Sequence, residues 1–319
     1  MQRSELPSYP KDDLDHACEE LAAGKCVAIP TETVYGLAAD ATNGLAVARI
    51  FKLKNRPEFN PLICHVDGLD MAQRYGKLNT TAKKLAEIFW PGPLTLVVPL
   101  KENSGIHPLV TAELGTIGIR HPKGIASQLI SQFGKPLAAP SANRSGRISP
   151  TRYDHVTNEF SDSDLFVLLR EPCEVGIEST IVSIHEDRIV LLRPGVITQT
   201  MLEEATGLPV HLPQGDIVLA PGMMKSHYAP NLPLRIDCTQ CPDDAAWLQF
   251  GPSIAHHGPV KNLSAKSDLQ EAAANLYAHL KALDATNASM ICVSPTPLEE
   301  LGIAINDRLK RAAAPRTGS

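Results

Sequence analysis

GIESTIVSIHEDRIVLLRPG, residues 176–195, holds two apolar runs, STIVSI and RIVLLR, with no helical period between them. A strand followed directly by another strand breaks the helix–strand alternation of a purely parallel sheet. The fold of this part of the chain is therefore read as α/β with a mixed sheet.

Upstream the alternation is plain. In residues 12–25, Leu14, Ala17, Cys18, Leu21 and Ala22 share one helical face, and Gly24 can stop the helix. CVAIP (26–30) reads as a strand, and GLAVARIFKLKN (44–55) as a helix capped by Thr42 or Asn43. PLICHV (61–66), LTLVVPL (94–100), TIGIR (116–120), PLAAPS (136–141) and FVLLR (166–170) read as strands. TTAKKLAEIFW (80–90) and GIASQLISQFG (124–134) read as helices. Residues 209–231 have no helical period and read as a linker. From 232 the alternation restarts with LRIDC, ANLYAHLKALD, SMICVSP and LGIAINDRLKRAA. This predicts three parts: an α/β domain over 11–208, a linker over 209–231, and a second, smaller α/β domain over 232–319.

Composition bounds the function. Among 319 residues, 43% are hydrophobic and 20% charged, as in a folded globular chain. A net charge of −5 excludes a binder of polyanions that works by global charge, and 5% aromatic residues supply poor stacking platforms for bases. No apolar run predicts a secretory signal or a membrane span. Seven cysteines, an odd number scattered along the chain, fit reduced thiols in the cytoplasm. Cys238 and Cys241 form a C-x-x-C with no second ligand pair after it, so no metal site is predicted.

The average charge conceals an asymmetry. Residues 114–153 carry six bases (Arg120, Lys123, Lys135, Arg144, Arg147, Arg152) and no acid. Residues 33–57 carry Arg49, Lys52, Lys54 and Arg56 against Asp40 alone. Such clustering in a near-neutral chain points to a focused anion site, although each base alone could equally stand on a solvated face. Standard phosphate loops are missing, so a nucleotide would be held by side-chain cations and hydroxyls.

Five segments concentrate suitable groups. PTETVYGLAAD (30–40) offers Thr31, Glu32, Thr33 and Tyr35 at a strand exit, where open α/β sheets bind ligands. KNRPEFNPLICHV (54–66) places Lys54 and Arg56 two residues apart outside a helix, so both can converge on one polyanion. Asn60 and His65 follow. On TIGIR, strand alternation puts Thr116, Gly118 and Arg120 on one side. LAAPSANRSGRISPT (137–151) brings Ser141, Asn143, Ser145 and Ser149 with Arg144 and Arg147. The fifth segment, where the reading began, contains Ser179, Thr180 and Arg193. Plain readings compete with each: a polar strand exit, a core histidine, a structural arginine–carboxylate pair, an ordinary loop.

Taken together and in order, these motifs resemble the YrdC-like threonylcarbamoyl-AMP synthases. The resemblance rests on PTETVYGL, K-x-R-P-x-x-N-P-L-x-x-H, WPGPLT, T-x-G-x-R, APSAN, G-x-E-S-T-I, LLRPG and APGM-x-x-x-HYAP. GIAINDRLKRAA is similar to the end of the extra domain in the family's long form. The resemblance implies a twisted open sheet with a cationic concave face. It also implies a reaction: L-threonine, bicarbonate (or CO2) and ATP give L-threonylcarbamoyladenylate and pyrophosphate. That product would feed a downstream threonylcarbamoyltransferase machinery modifying an adenosine beside the tRNA anticodon, with tRNA contacted weakly or indirectly.

Carried over by motif, Thr33, His65, Arg120, Ala139 and Ser179 would contact L-threonine. Arg56, Asn60, Thr116, Ser141, Asn143, Ser149 and Arg193 would contact ATP, with Mg2+ accompanying it. Lys54 and Arg56 would be the catalytic cations on the phosphates. His227 and Tyr228 of the HYAP tetrad would fold over the nucleotide. The family commonly has K-Y-K before that tetrad. Met224-Lys225-Ser226 stands there in this chain, which leaves Lys225 as the substitute contact. Two other functions are compatible with parts of the pattern. One is an RNA-binding module using the same cationic face. The other is a hydrogenase-maturation-type carbamoyltransferase, although its acylphosphatase domain and paired C-x-x-C motifs are missing here.

Overall fold

The computed structural model describes residues 11–169, 171–213, 221 and 226–315. Its first part runs α1 (Lys11–Ala22), β1 (Val27–Ile29), β2 (Gly36–Asp40), α2 (Gly44–Lys54), β3 (Ile63–His65), α3 (Leu69–Tyr75), α4 (Thr80–Phe89) and β4 (Leu94–Pro99). Next come α5 (Pro108–Thr111), β5 (Thr116–Arg120), α6 (Ile125–Phe133), β6 (Leu137–Ala138), α7 (Tyr153–Glu159) and β7 (Phe166–Val167). β8 (Thr180–Ile184), β9 (Ile189–Arg193), α8 (Gln199–Thr206) and β10 (Val210–His211) complete it. Among the described residues these strands form one ten-stranded sheet, ordered β10-β9-β8-β4-β5-β3-β6-β2-β1-β7. The sheet is mixed. β8 and β9 pair antiparallel, as do β4 and β5, whereas β3–β5 and β4–β8 are parallel.

Local chemistry sets the boundaries. Asn43 caps α2 by accepting from the backbone N–H of Leu45 and Ala46, and Asn55 ends it in a left-handed conformation. The buried stripe of α2 runs Ala46, Val47, Ile50, Phe51 and then Lys54, so the helix carries an ammonium into the interior at its last turn. GLAAD, which forms β2, gives no strand signal in the sequence. All five of its residues are buried, so the polar–apolar alternation that marks a half-exposed strand is absent. The short helices α3, α5, α7 and α8 carry too few turns to show a period. β10 lies inside the segment read as linker, its Val210 pairing with Ile189.

The second part contains β11 (Leu234–Arg235), β12 (Ala246–Gln249), β13 (Val260–Asn262), α9 (Leu269–Asp284), β14 (Ile291–Val293) and α10 (Leu301–Ala313). Its four strands are all parallel, in the order β11-β14-β12-β13. β12 and β13 were missing from the sequence reading. Asp268 caps α9 by accepting from Gln270 and Glu271 N–H. The core of this part is shared with the first: Val34, Ile148 and Ile177 pack into the same cluster as Tyr277, Ile305 and Leu309.

The two parts meet closely at Gly176. Its φ is +78°, and a Cβ there would run into the Ala273 carbonyl oxygen and the Ala274 Cα of α9. The backbone of the segment entering β8 thus lies directly on α9. Gly176→Ala is expected to destabilise the protein by at least about 1–2 kcal/mol, the cost of forcing a side chain into a left-handed conformation, before any clash is counted. A thermal melt unchanged by this substitution would show that the contact is slack.

Candidate active site

Sheet register assembles one polar cavity at the ends of the central strands. β3 and β5 are parallel, and their pairing sets His65 beside Arg120. β4 and β8 are parallel with Leu94 opposite Thr180, so Thr95 and Ser179 face each other with hydroxyl oxygens 2.8 Å apart. β8 and β9 bring Arg193 opposite Ile181. The turn between β1 and β2 adds Thr31 and Thr33, and the loop after β6 adds Ala139 and Ser141. His65, Arg120, Ser179, Arg193, Thr31, Thr33, Ala139 and Ser141 line one cavity, with His227 and Tyr228 of the later segment, and Thr95 stands behind Ser179.

One end of the cavity is built round Arg120. Its guanidinium pairs with Glu32 at 2.7 Å, donates to Thr33 Oγ1 at 2.9 Å and donates to the Gly92 carbonyl at 3.2 Å. Glu32 is held in turn by the Lys123 N–H at 3.1 Å. The plain arginine–carboxylate pair is thus present, and it aims a fixed guanidinium at the cavity wall. Beside it, burial and the neighbouring Arg120 push His65 down to about 3, so this ring is neutral at physiological pH. His65 Nδ1 is buried and makes no hydrogen bond among the described residues.

The other end is cationic. Arg193 donates to the Ser179 carbonyl (3.0 Å), the Ser179 hydroxyl (3.1 Å) and the Pro221 carbonyl (3.3 Å). Arg56 donates to the carbonyls of Asn60 (3.2 Å) and Pro61 (2.9 Å). Lys54 donates to the carbonyls of Ser141 (2.6 Å) and Asn143. All three are buried, and among the described residues none forms an ion pair with a carboxylate. Burial, with Arg56 adding to it, holds the Lys54 ammonium well below its ordinary value. Burial pushes Arg56 down to about 10, with Arg193 adding to it, and lowers Arg193 also. Mutually repelling cations held by neutral dipoles make a site that gains from a polyanion.

The expected residues do not all reach the cavity wall. Lys54 stands behind it, with Nζ on two carbonyls of the 141–143 loop, so it shapes that loop and does not reach into the cavity. Arg56, Asn60 and Asn143 are likewise one layer back. Asn143 Nδ2 donates to the Arg144 and Arg147 carbonyls, at 2.8 and 3.0 Å. Ser149 is fully buried and donates to Glu178 at 2.6 Å. Thr116 lines a small adjoining cavity with Thr95, Gly118 and Pro221. Lys225 lies outside the described residues.

Glu178, the acid of the G-x-E-S-T-I motif with no role expected from sequence, lines the cavity and receives three donors: Ser149, Tyr277 and Arg308. Tyr277 and Arg308 were not singled out. A signal did exist for Arg308. The buried stripe of α10 runs Leu301, Ala304, Ile305, Arg308, Leu309, Ala312, which puts a charge at a core position of the helical period.

Two family descriptions cover the chain. "Telomere recombination" (Sua5–YciO–YrdC) matches residues 19–195, and "Threonylcarbamoyl-AMP synthase, C-terminal domain" matches residues 197–314. The chain is 37% identical to a threonylcarbamoyl-AMP synthase of Bacillus subtilis, over 93% of its own length and 91% of the relative's. It is 33% identical to one of Schizosaccharomyces pombe, over 97% and 90%. A crystal structure of the Pyrococcus abyssi protein in complex with L-threonine superposes with a TM-score of 0.87 at 33% identity, covering 97% of this chain and 96% of that one.

His227 has the same electrostatic setting as His65. Burial, reinforced by Arg56, Lys54 and Arg193 against the opposing Glu178, pushes it down to about 3. Unfolded histidines titrate near pH 6.5. Between about pH 6.5 and 3 the unfolded chain therefore binds protons that the folded chain refuses at these two rings. Their contribution to stability is complete above the unfolded value and is lost as pH falls through that window. The His65 and His227 ring resonances should stay unshifted in an NMR titration between about pH 5 and 8. A midpoint near 6.5 for either would overturn this placement.

Proposed function

The chain belongs to the family of threonylcarbamoyl-AMP synthases, and we propose on that premise that it condenses L-threonine, bicarbonate and ATP into L-threonylcarbamoyladenylate and pyrophosphate. The observation that carries the reading is one cavity with two unlike ends. A carboxylate-matching arginine, Arg120, is fixed by Glu32 and Thr33. Arg193 lines the same cavity on β9, with Arg56 and Lys54 behind it.

L-threonine fits the Arg120 end, its carboxylate on the guanidinium and its polar groups on Thr33, Ser179 and the neutral His65. ATP fits the cationic end, with Ser141 and Arg193 in contact and the charges of Arg56 and Lys54 reaching the phosphates from one layer back. The threonine amine adds to CO2 derived from bicarbonate, losing a proton and giving a carbamate. A carbamate oxygen then attacks the α-phosphorus, forming the acyl–phosphate bond as the bond to pyrophosphate breaks. Two anions must approach one another, so the protein's contribution is positioning and preorganised positive charge. A neutral His65 is a hydrogen-bonding group here and a poor base, since so depressed a ring gives a proton up readily.

Magnesium fits this site as part of the substrate. Glu178 is occupied by its three donors, and among the described residues no three His, Cys, Asp or Glu side chains converge to hold a metal. Mg2+ commonly arrives on substrate phosphates with few protein ligands, which is the arrangement proposed here. The adenylate is an activated carbamoyl donor, and its transfer to tRNA adenosine belongs to downstream machinery. The transferase is read as cytoplasmic. Among the described residues no helix is long and apolar enough to cross a membrane.

The direct test is pyrophosphate release from MgATP, with and without L-threonine and bicarbonate. Release that ignores either co-substrate would sink the reading. Arg120→Ala should lower kcat/KM for L-threonine, and Arg193→Ala that for MgATP, each by about 2–5 kcal/mol, the scale of truncating a buried charge contact. Equal effects of both variants on both substrates would refute the two-ended assignment.

A further inference from the structure

Glu178 is the point at which the second domain touches the cavity. Its Oε1 accepts from Ser149 at 2.6 Å, and its Oε2 accepts from Tyr277 of α9 at 2.9 Å and from Arg308 Nε of α10 at 2.9 Å. Arg308 and Glu178 are both buried, as is Tyr277. Arg308 also donates to Asp307 at 2.8 Å and lies over the Tyr228 ring, 5.5 Å from its centroid. Tyr228 in turn stacks on Tyr277, 5.6 Å between centroids. Two helices of the second domain thus place a phenol and a guanidinium on one carboxylate, next in sequence to Ser179, which holds Arg193.

A carboxylate beside a triphosphate site is a liability. Left unpaired, it repels the phosphates and competes for Arg193, whose charge acts on it. Arg193 is within electrostatic reach of Glu178 and helps, with Arg308, to hold its acidity at about 2 against the opposing effect of burial.

We propose that Arg308 and Tyr277 are positioning residues for the nucleotide end of the site: they engage Glu178 and so leave Arg193 available to phosphate. The second domain is then required for nucleotide affinity through a charge relation, in addition to packing. This rests on the reading of the cationic end as the ATP site.

The test is the affinity of the full chain for MgATP and, separately, for L-threonine, by titration calorimetry, with a thermal melt for each variant. Arg308→Met should weaken MgATP by about tenfold or more, the scale of one charged contact. L-threonine affinity should fall by a clearly smaller factor, because that end meets the Glu178–Arg193 pair only through Ser179. Adding Glu178→Gln to Arg308→Met should recover most of the MgATP affinity, because the unpaired charge is then gone. Should Arg308→Met fail to fold, Arg308→Lys and Tyr277→Phe each keep the helix packed and should weaken MgATP selectively by a smaller factor. Unchanged MgATP affinity in the folded variants, parallel loss of both ligands, or no recovery in the double variant overturns the proposal. A wild-type chain that does not bind MgATP overturns the ATP-site reading itself, and the proposal with it.

Discussion

Burying several positive charges in one place is the constraint round which this protein is arranged. Lys54, Arg56 and Arg193 all leave water, and burial lowers the pKa of all three. Desolvating a cation is costly unless dipoles or counter-charges replace water. Here the dipoles are backbone carbonyls of Asn60, Pro61, Ser141, Asn143, Ser179 and Pro221. Carbonyls free to face a cation come from irregular backbone, because ladder and helix carbonyls are already taken. That is why the strand ends here run into proline-rich loops, and why those loops converge where the sheet stops.

Neutral dipoles offset the cost only in part, and the remainder is an electrostatic preference for a polyanion, present before any ligand arrives. At the opposite end the compensation is complete, since Arg120 has Glu32. The difference is what makes the cavity two-ended. A paired guanidinium keeps its hydrogen-bonding geometry and can take a small carboxylate. Unpaired cations supply net charge for a phosphate chain.

Much of this was legible in the linear sequence. Arg120, Lys54 and Arg56 of the cationic segments, the hydroxyl-bearing strand exits and the G-x-E-S-T-I and LLRPG runs fall at the cavity or directly behind it, whereas Lys135, Arg144 and Arg152 pair with Asp40, Asp162 and Asp154 away from it. The apolar runs of β1, β3, β4, β5, β8, β9 and β14 and the periods of α1, α2, α4, α6 and α10 mark those elements at their places. What escaped had physical reasons. β2 is buried on both faces and shows no alternation. Short helices show no period. Residues of one motif also divided between layers: His65 of the K-x-R-P-x-x-N-P-L-x-x-H run lines the cavity, whereas Lys54 is turned by the last turn of α2 onto the loop carbonyls.

Which residue types stand where, and which local elements they form, is a property of neighbours in the chain, so sequence by itself determined the mixed α/β class, the cationic segments and the motifs. The role of each charge was decided only in three dimensions. Glu32 finds Arg120 across 88 residues, and Glu178 finds Arg308 across 130. A carboxylate's effect on a site depends on which cation neutralises it, and at such separations the packing of whole domains makes that choice.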